Sequence, residues 1–131
     1  MGQYRPDVGY CSVSLIDGGL KNNMQIDKLR GREVDQLFKA ILSLRDLEEC
    51  YRFFDDLCTV NEIQSLAQRL EVARMLREGY TYHKIETETG ASTATISRVK
   101  RCLNYGSDAY EMVLERIKEE QTDESQEANH V

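Results

Sequence analysis

The stretch TYHKIETETGASTATISRVK, from Thr81 to Lys100, leaves few choices of local structure. Thr81 stands where it can cap the first turn of a helix, Ile85 and Thr89 give that helix its inward face, and Gly90 falls where a tight turn needs a residue tolerant of positive φ. A second helix follows almost at once. On it Ile96, Val99, Leu103 and Ser92 share an arc directed at a core, while Ala94, Ser97, Arg98, Arg101 and Tyr105 share the opposite one. The pattern predicts a helix-turn-helix over 81–103. Its outer arc carries small groups near the N-terminus of the second helix, able to approach base edges, and cations further along, able to reach phosphates.

The apolar spacing is helical nearly everywhere from Glu33 onward. Val34, Leu37, Phe38 and Ile41 form one stripe, and Leu44, Leu47, Tyr51, Phe54 and Cys58 repeat in the rhythm of helices packed along their length. Ser43 with Asp46 gives the second helix an N-cap signature. Thr59-Val-Asn-Glu62 is a capping box for the third, whose expected inward face is Ile63, Leu66, Ala67, Leu70 and Ala73, with Gly79 as its stop. After the two helices of the motif, Ser107 is expected to cap a last helix with Tyr110, Val113, Leu114 and Ile117 inward. The reading is all-α, six helices and no strands. It divides the chain into residues 1–23, a helical domain over 24–118, and a polar, acidic tail over 119–131 expected to be disordered. Residues 1–23 hold the only proline, Pro6, and lack helical periodicity. They read either as an ordinary flexible arm or as an extension ahead of a natural start at Met24, with Gly18-Gly19 placed like a translated ribosome-binding sequence.

The net charge of −6 becomes informative once divided. Residues 1–65 hold 8 basic and 11 acidic side chains, residues 66–105 hold 7 and 4, and residues 106–131 hold 2 and 8. Positive charge therefore sits where the motif sits, and attraction to phosphate acts within a Debye length of about 8 Å rather than through the chain average. There is no apolar run long enough for a membrane span and no secretory pattern, so the cytoplasm is the expected compartment. Cys11, Cys50, Cys58 and Cys102 lack metal-ligand spacing and read as reduced thiols; no metal or cofactor is expected. The two histidines, His83 and His130, and the absence of GxSxG, HExxH, P-loop or dinucleotide fingerprints give an enzyme nothing to stand on.

The segment from Thr59 to Leu103, NEIQSLAQRLEVARMLREG followed by TYHKIETETGASTATISRVKRCL, resembles the Trp repressor superfamily, and within it the YerC/YecD branch of Trp-repressor-like proteins. The likeness runs from about Met24 to Lys118, and GASTATISR is its most specific piece. It implies a six-helix, interlaced homodimer whose paired heads bind a pseudo-palindromic operator on double-stranded DNA, as a transcriptional regulator and by family habit a repressor. The long apolar stripes point to dimerisation independently, since one small monomer leaves them uncovered.

Carried over residue by residue, the resemblance places Thr93, Ala94, Thr95 and Ser97 at base-reading positions, where Thr and Ala can touch a thymine methyl and hydroxyls can bond base edges. His83 stands where the family has a guanine-reading arginine. Thr81, Ser92, Lys100 and Arg101 complete the expected DNA face, the last two as phosphate clamps. Ser92, Thr93 and Thr95 also have a purely capping reading, and Arg98 one as a partner for a carboxylate. Tyr80, Tyr82 and Tyr105 could touch the sugar-phosphate backbone or be half-buried packing. In the corepressor pocket, Arg98 matches an arginine that lies against bound tryptophan, and Arg69 resembles a second arginine, offset by one residue. Val99 replaces the glycine that makes room for the indole, and Cys102 replaces a serine, so any small-molecule effector is expected not to be tryptophan. Two other readings of a helix-turn-helix stay open: a protein-interaction module and a non-specific nucleic-acid binder.

Overall fold

The computed structural model describes residues 25–128, which form six α-helices and a short 3-10 helix at Gln25–Leu29, with no strand among them. The expectations for residues 1–23, for a start at Met24 and for His130 concern positions outside the described residues. The helices gather into two compact units that part between Leu57 and Cys58.

In the first unit, α1 (Arg32–Leu42) and α2 (Leu47–Leu57) follow the 3-10 helix. Val34, Leu37 and Ile41 of the expected stripe are half-buried, whereas Phe38 is largely exposed. The surprise is Asp35, a buried carboxyl whose Oδ2 has no hydrogen-bond partner. Between the helices, the expected Ser43–Asp46 signature divides. Ser43 ends α1, its hydroxyl donating to the Ala40 carbonyl at 2.6 Å, and Asp46 starts α2 by accepting from the Glu49 N–H at 2.8 Å. The Glu49 carboxylate reaches back to accept from the Arg45 N–H at 2.9 Å, so one donor inside the helix start and one just ahead of it are both satisfied. Along α2, Phe54 is half-buried, but Leu47 and Tyr51 of the expected seam are 72% and 69% exposed.

The second unit holds α3 (Val60–Arg77), α4 (Tyr82–Thr89), α5 (Thr93–Tyr105) and α6 (Ala109–Ala128). The capping box at the start of α3 forms as expected: the Thr59 hydroxyl accepts from the Glu62 N–H, and the Glu62 carboxylate accepts from the Thr59 N–H. Gly79, at φ 84°, lets the chain turn away from α3. The core is Val72, Ala73, Met75, Ile85, Ala91, Ile96, Val99 and Leu114, with Leu70, Leu76, Tyr82, Leu103 and Tyr110 packed around it. The expected inward face of α3 is therefore only partly right. Its C-terminal half is buried, because α4, α5 and α6 pack there, while Leu66 and Ala67 in the N-terminal half are exposed.

Beyond α5 two more expectations change. The first backbone bond of α6 runs from the Met112 N–H to the Asp108 carbonyl, so Asp108, at φ 59°, and not Ser107 precedes the helix. Of its expected inward residues Leu114 is buried and Tyr110 half-buried, while Val113 and Ile117 are 37% and 38% exposed. The helix continues to Ala128 instead of giving way after Lys118 to a disordered tail. Glu119, Glu120, Gln121, Glu124 and Glu127 are good helix formers, nothing interrupts them, and the Thr122 and Ser125 hydroxyls bond back to the carbonyls of Lys118 and Gln121. Arg77 at the end of α3 holds α6 through Glu111, at 2.8 Å, and Glu115.

Candidate nucleic-acid interface

Hydrogen bonds define the start and end of each helix of the motif. The Thr81 hydroxyl accepts from the Lys84 N–H at 3.2 Å, opening α4. Gly90 closes it in the left-handed region at φ 70°, its N–H donating to the Glu86 carbonyl. The Thr89 hydroxyl donates to the Ile85 carbonyl at 2.7 Å and accepts from the Ala91 N–H at 3.1 Å, so one side chain ties the end of α4 to the turn. Ser92 then caps α5, accepting from the Thr95 N–H at 3.2 Å. It is exposed, not on the core arc where periodicity placed it, because a cap residue has left the helical path.

Two contacts that sequence reasoning missed hold the motif, one to α3 and one between its own two helices. The Gln68 side-chain amide of α3 donates to the Thr89 carbonyl at 3.0 Å, satisfying a carbonyl at the end of α4. The Lys100 ammonium lies 5.4 Å from the centre of the Tyr82 ring, a cation–π contact that bridges α4 and α5. Gln68 gives no signal in the sequence beyond being polar in a helix that packs, and Lys100 reads as a phosphate clamp ahead of a base reader.

Ile96 and Val99 of α5 are buried, which turns the opposite face outward. Thr93, Ala94, Ser97, Arg98, Lys100, Arg101 and Cys102 are exposed, as are Thr81 and His83 on α4; Thr95 is half-buried and its hydroxyl lies 3.1 Å from that of Ser92. No acidic residue occurs on α5. Among the described residues Arg98, Lys100 and Arg101 form no ion pair, whereas Lys84 pairs with Glu88 at 2.7 Å, which raises its pKa above the ordinary lysine value. The arrangement is a helix end of small groups backed by cations that form no ion pair.

The expected pocket residues do not gather on one face. Val99 is 1% exposed within the core, Arg98 and Cys102 face outward, and the half-buried Arg69 donates to the Ser65 carbonyl of its own helix at 3.3 Å. Cys102, Cys50 and Cys58 are free thiols, and no group of His, Cys, Asp or Glu among the described residues is arranged to hold a metal ion. No described helix is long and apolar enough to cross a membrane.

Comparison with known proteins agrees with this architecture. The chain is 85% identical over 102 residues to the uncharacterized protein YerC of Bacillus subtilis (strain 168), a match covering 78% of this chain and 98% of that one. A crystal structure of a Trp repressor candidate from Staphylococcus aureus superposes with a TM-score of 0.71 at 68% identity, over 72% of this chain and 95% of the other. A TrpR-like protein from Eubacterium eligens ATCC 27750 gives 0.68 at 63% identity, over 70% and 95%. The family described as Trp repressor protein matches residues 32–118, and the chain belongs to that family.

Proposed function

We propose that this protein is a sequence-specific DNA-binding transcription regulator, a repressor, that reads a pseudo-palindromic operator as a homodimer in the cytoplasm and catalyses no reaction. The observation that carries this reading is the outer face of α5: exposed Thr93, Ala94 and Ser97 at the end that would enter a major groove, followed by exposed, unpaired Arg98 and Arg101 with no carboxylate on the helix. Small side chains admit close approach to base edges, and the arginines supply phosphate contacts that fix register. Thr81, His83, Ser92, Thr95 and Lys100 flank that face, Ser92 and Thr95 through their caps and Lys100 from its place over Tyr82. The names of the Staphylococcus and Eubacterium relatives point the same way.

Dimerisation is supported by apolar surface in both units: Leu42, Leu47, Tyr51 and Leu57 in the first, and Val60, Leu66, Met112 and Ile117 in the second, are large exposed hydrophobics. Any effector is a small molecule other than tryptophan. Selection of bound genomic fragments, followed by gel shift in competition with random fragments, tests the whole reading. One tightly held fragment that random DNA cannot displace is the expected result. Equal competition by all fragments would leave a non-specific binder, and no retained DNA a protein-interaction module.

A further inference from the structure

Tyr105 is 85% exposed at the last position of α5, and no ring or cation contact engages it. It shares an arc with Ala94, Ser97, Arg98 and Arg101. The chain turns away directly after it. The Gly106 N–H donates to the Cys102 carbonyl at 2.8 Å, and a Cβ on Gly106 would lie 2.2 Å from that same oxygen. The chain therefore leaves α5 by a turn open only to glycine, and the Tyr105 ring is left at the tip of the stripe.

We infer that Tyr105 packs on the sugar-phosphate backbone at the rim of the DNA groove that α5 enters, as a positioning residue for the reading helix. The inference rests on the DNA-reading function proposed above. At about 1.5 Å per residue, Tyr105 stands roughly 16 Å along the axis from Ala94, whereas the major groove is only about 8.5 Å deep. A helix inclined into the groove with Ala94 at the base edges brings Arg98 and Arg101 past the groove wall and Tyr105 to the level of the backbone or beyond. Charge selects the same occupant: Arg98 and Arg101 lie between the reading end and the ring, both free of ion pairs, and α5 contributes no negative charge. The ring offers an apolar face for deoxyribose and a hydroxyl for a phosphate oxygen.

The test compares wild type, Tyr105→Ala, Tyr105→Phe and Arg101→Ala on the selected operator fragment across a salt series, with dimer mass and melting temperature measured in parallel. Tyr105→Ala should weaken binding about tenfold, on operator and variant sequences alike, leave the slope of log affinity against log salt unchanged, and leave mass and melting temperature at wild-type values. Arg101→Ala should reduce that slope by about one, because it removes a counterion-releasing contact. Tyr105→Phe keeps the ring and should lose less than Tyr105→Ala. Wild-type affinity in Tyr105→Ala would overturn the inference while leaving DNA reading intact, and equal loss in the Phe and Ala variants would remove the ring contact. A Tyr105→Ala protein that loses its dimer would assign the ring to a subunit contact instead. If the wild type retains no DNA at all, the function proposed above fails first and takes this inference with it.

Discussion

Val99 is 1% exposed and packs in the cluster that contains Met75, Ile85 and Ile96, so its methyl groups fill space in the core. It occupies the position where the resemblance puts a glycine beside a bound indole. Millimolar tryptophan is accordingly expected to change neither melting temperature nor operator affinity of the wild type. A ligand at a hundred times its dissociation constant would add about 2.7 kcal/mol of stability, which calorimetry resolves. Val99→Gly should gain a response to tryptophan, but it also loses core packing and helix propensity, together about 3 kcal/mol. Val99→Ala is the milder companion if the glycine variant melts too low. Saturable stabilisation of the wild type by tryptophan would refute the argument. Arg98 and Arg101 belong to the opposite face, are exposed, and form no ion pair among the described residues. Replacing both with alanine should weaken DNA binding while circular dichroism and dimer mass stay unchanged; loss of helicity would make them structural. The outward face of α5 was legible because 3.6-residue periodicity sorts it from Ile96 and Val99. Ser92 was misplaced because periodicity stops meaning anything one residue before a helix begins.

At the scale of elements, the caps were the most readable signals and the packed faces the least. Thr59, Thr81, Gly79 and Gly90 take the roles their chemistry suggests, since a cap depends on residues three or four positions away. Ser43 was assigned to the wrong helix end because its hydroxyl serves the preceding Ala40 carbonyl as readily as a following N–H. The N-terminal half of α3 was read as buried because an apolar stripe does not say what covers it. Two long-range contacts had no local signature at all: Gln68 with Thr89, and Arg77 with Glu111 and Glu115. Gln68→Ala should cost about 1 kcal/mol in thermal or denaturant unfolding by leaving the Thr89 carbonyl without its donor. The second contact carries a pH dependence. Its hydrogen bond to Arg77 holds the Glu115 carboxyl below its ordinary value of 4.5, and a depressed carboxylate stabilises the fold above its unfolded pKa and loses that contribution as pH falls through the folded one. Docking of α6, followed by hydrogen exchange around Leu114, should therefore hold from neutral pH down to the ordinary carboxylate range and loosen only in more acid solution. Arg77→Met should flatten that profile; an unchanged profile would mean that the apolar contacts of Leu114 and Tyr110 alone hold the helix.

For the molecule as a whole, charge and apolar surface are distributed in ways that bear on the same question. Residues 66–105 carry 7 basic side chains against 4 acidic ones, while residues 106–131, most of them in α6, hold 8 acidic side chains against 2 basic ones. Such a distribution confines phosphate attraction to the motif. Each unit leaves large apolar side chains in solvent, Leu47 and Tyr51 in the first and Leu66 in the second, the kind of surface that a partner covers. In the homodimer proposed above, two-fold symmetry would cover the same surface on both copies and present two reading helices to one duplex. Half-sites should then be separated by about one helical turn, roughly 34 Å, as in other paired helix-turn-helix readers. Sedimentation should return twice the 15.1 kDa of one chain. Inserting about five base pairs between the half-sites turns one of them to the far side of the duplex, and about ten restores its facing at a greater distance. Affinity should drop to that of a single half-site in the first case. It should recover in the second only as far as the dimer can stretch, so unchanged affinity after the five-pair insertion would mean that each reading head binds alone.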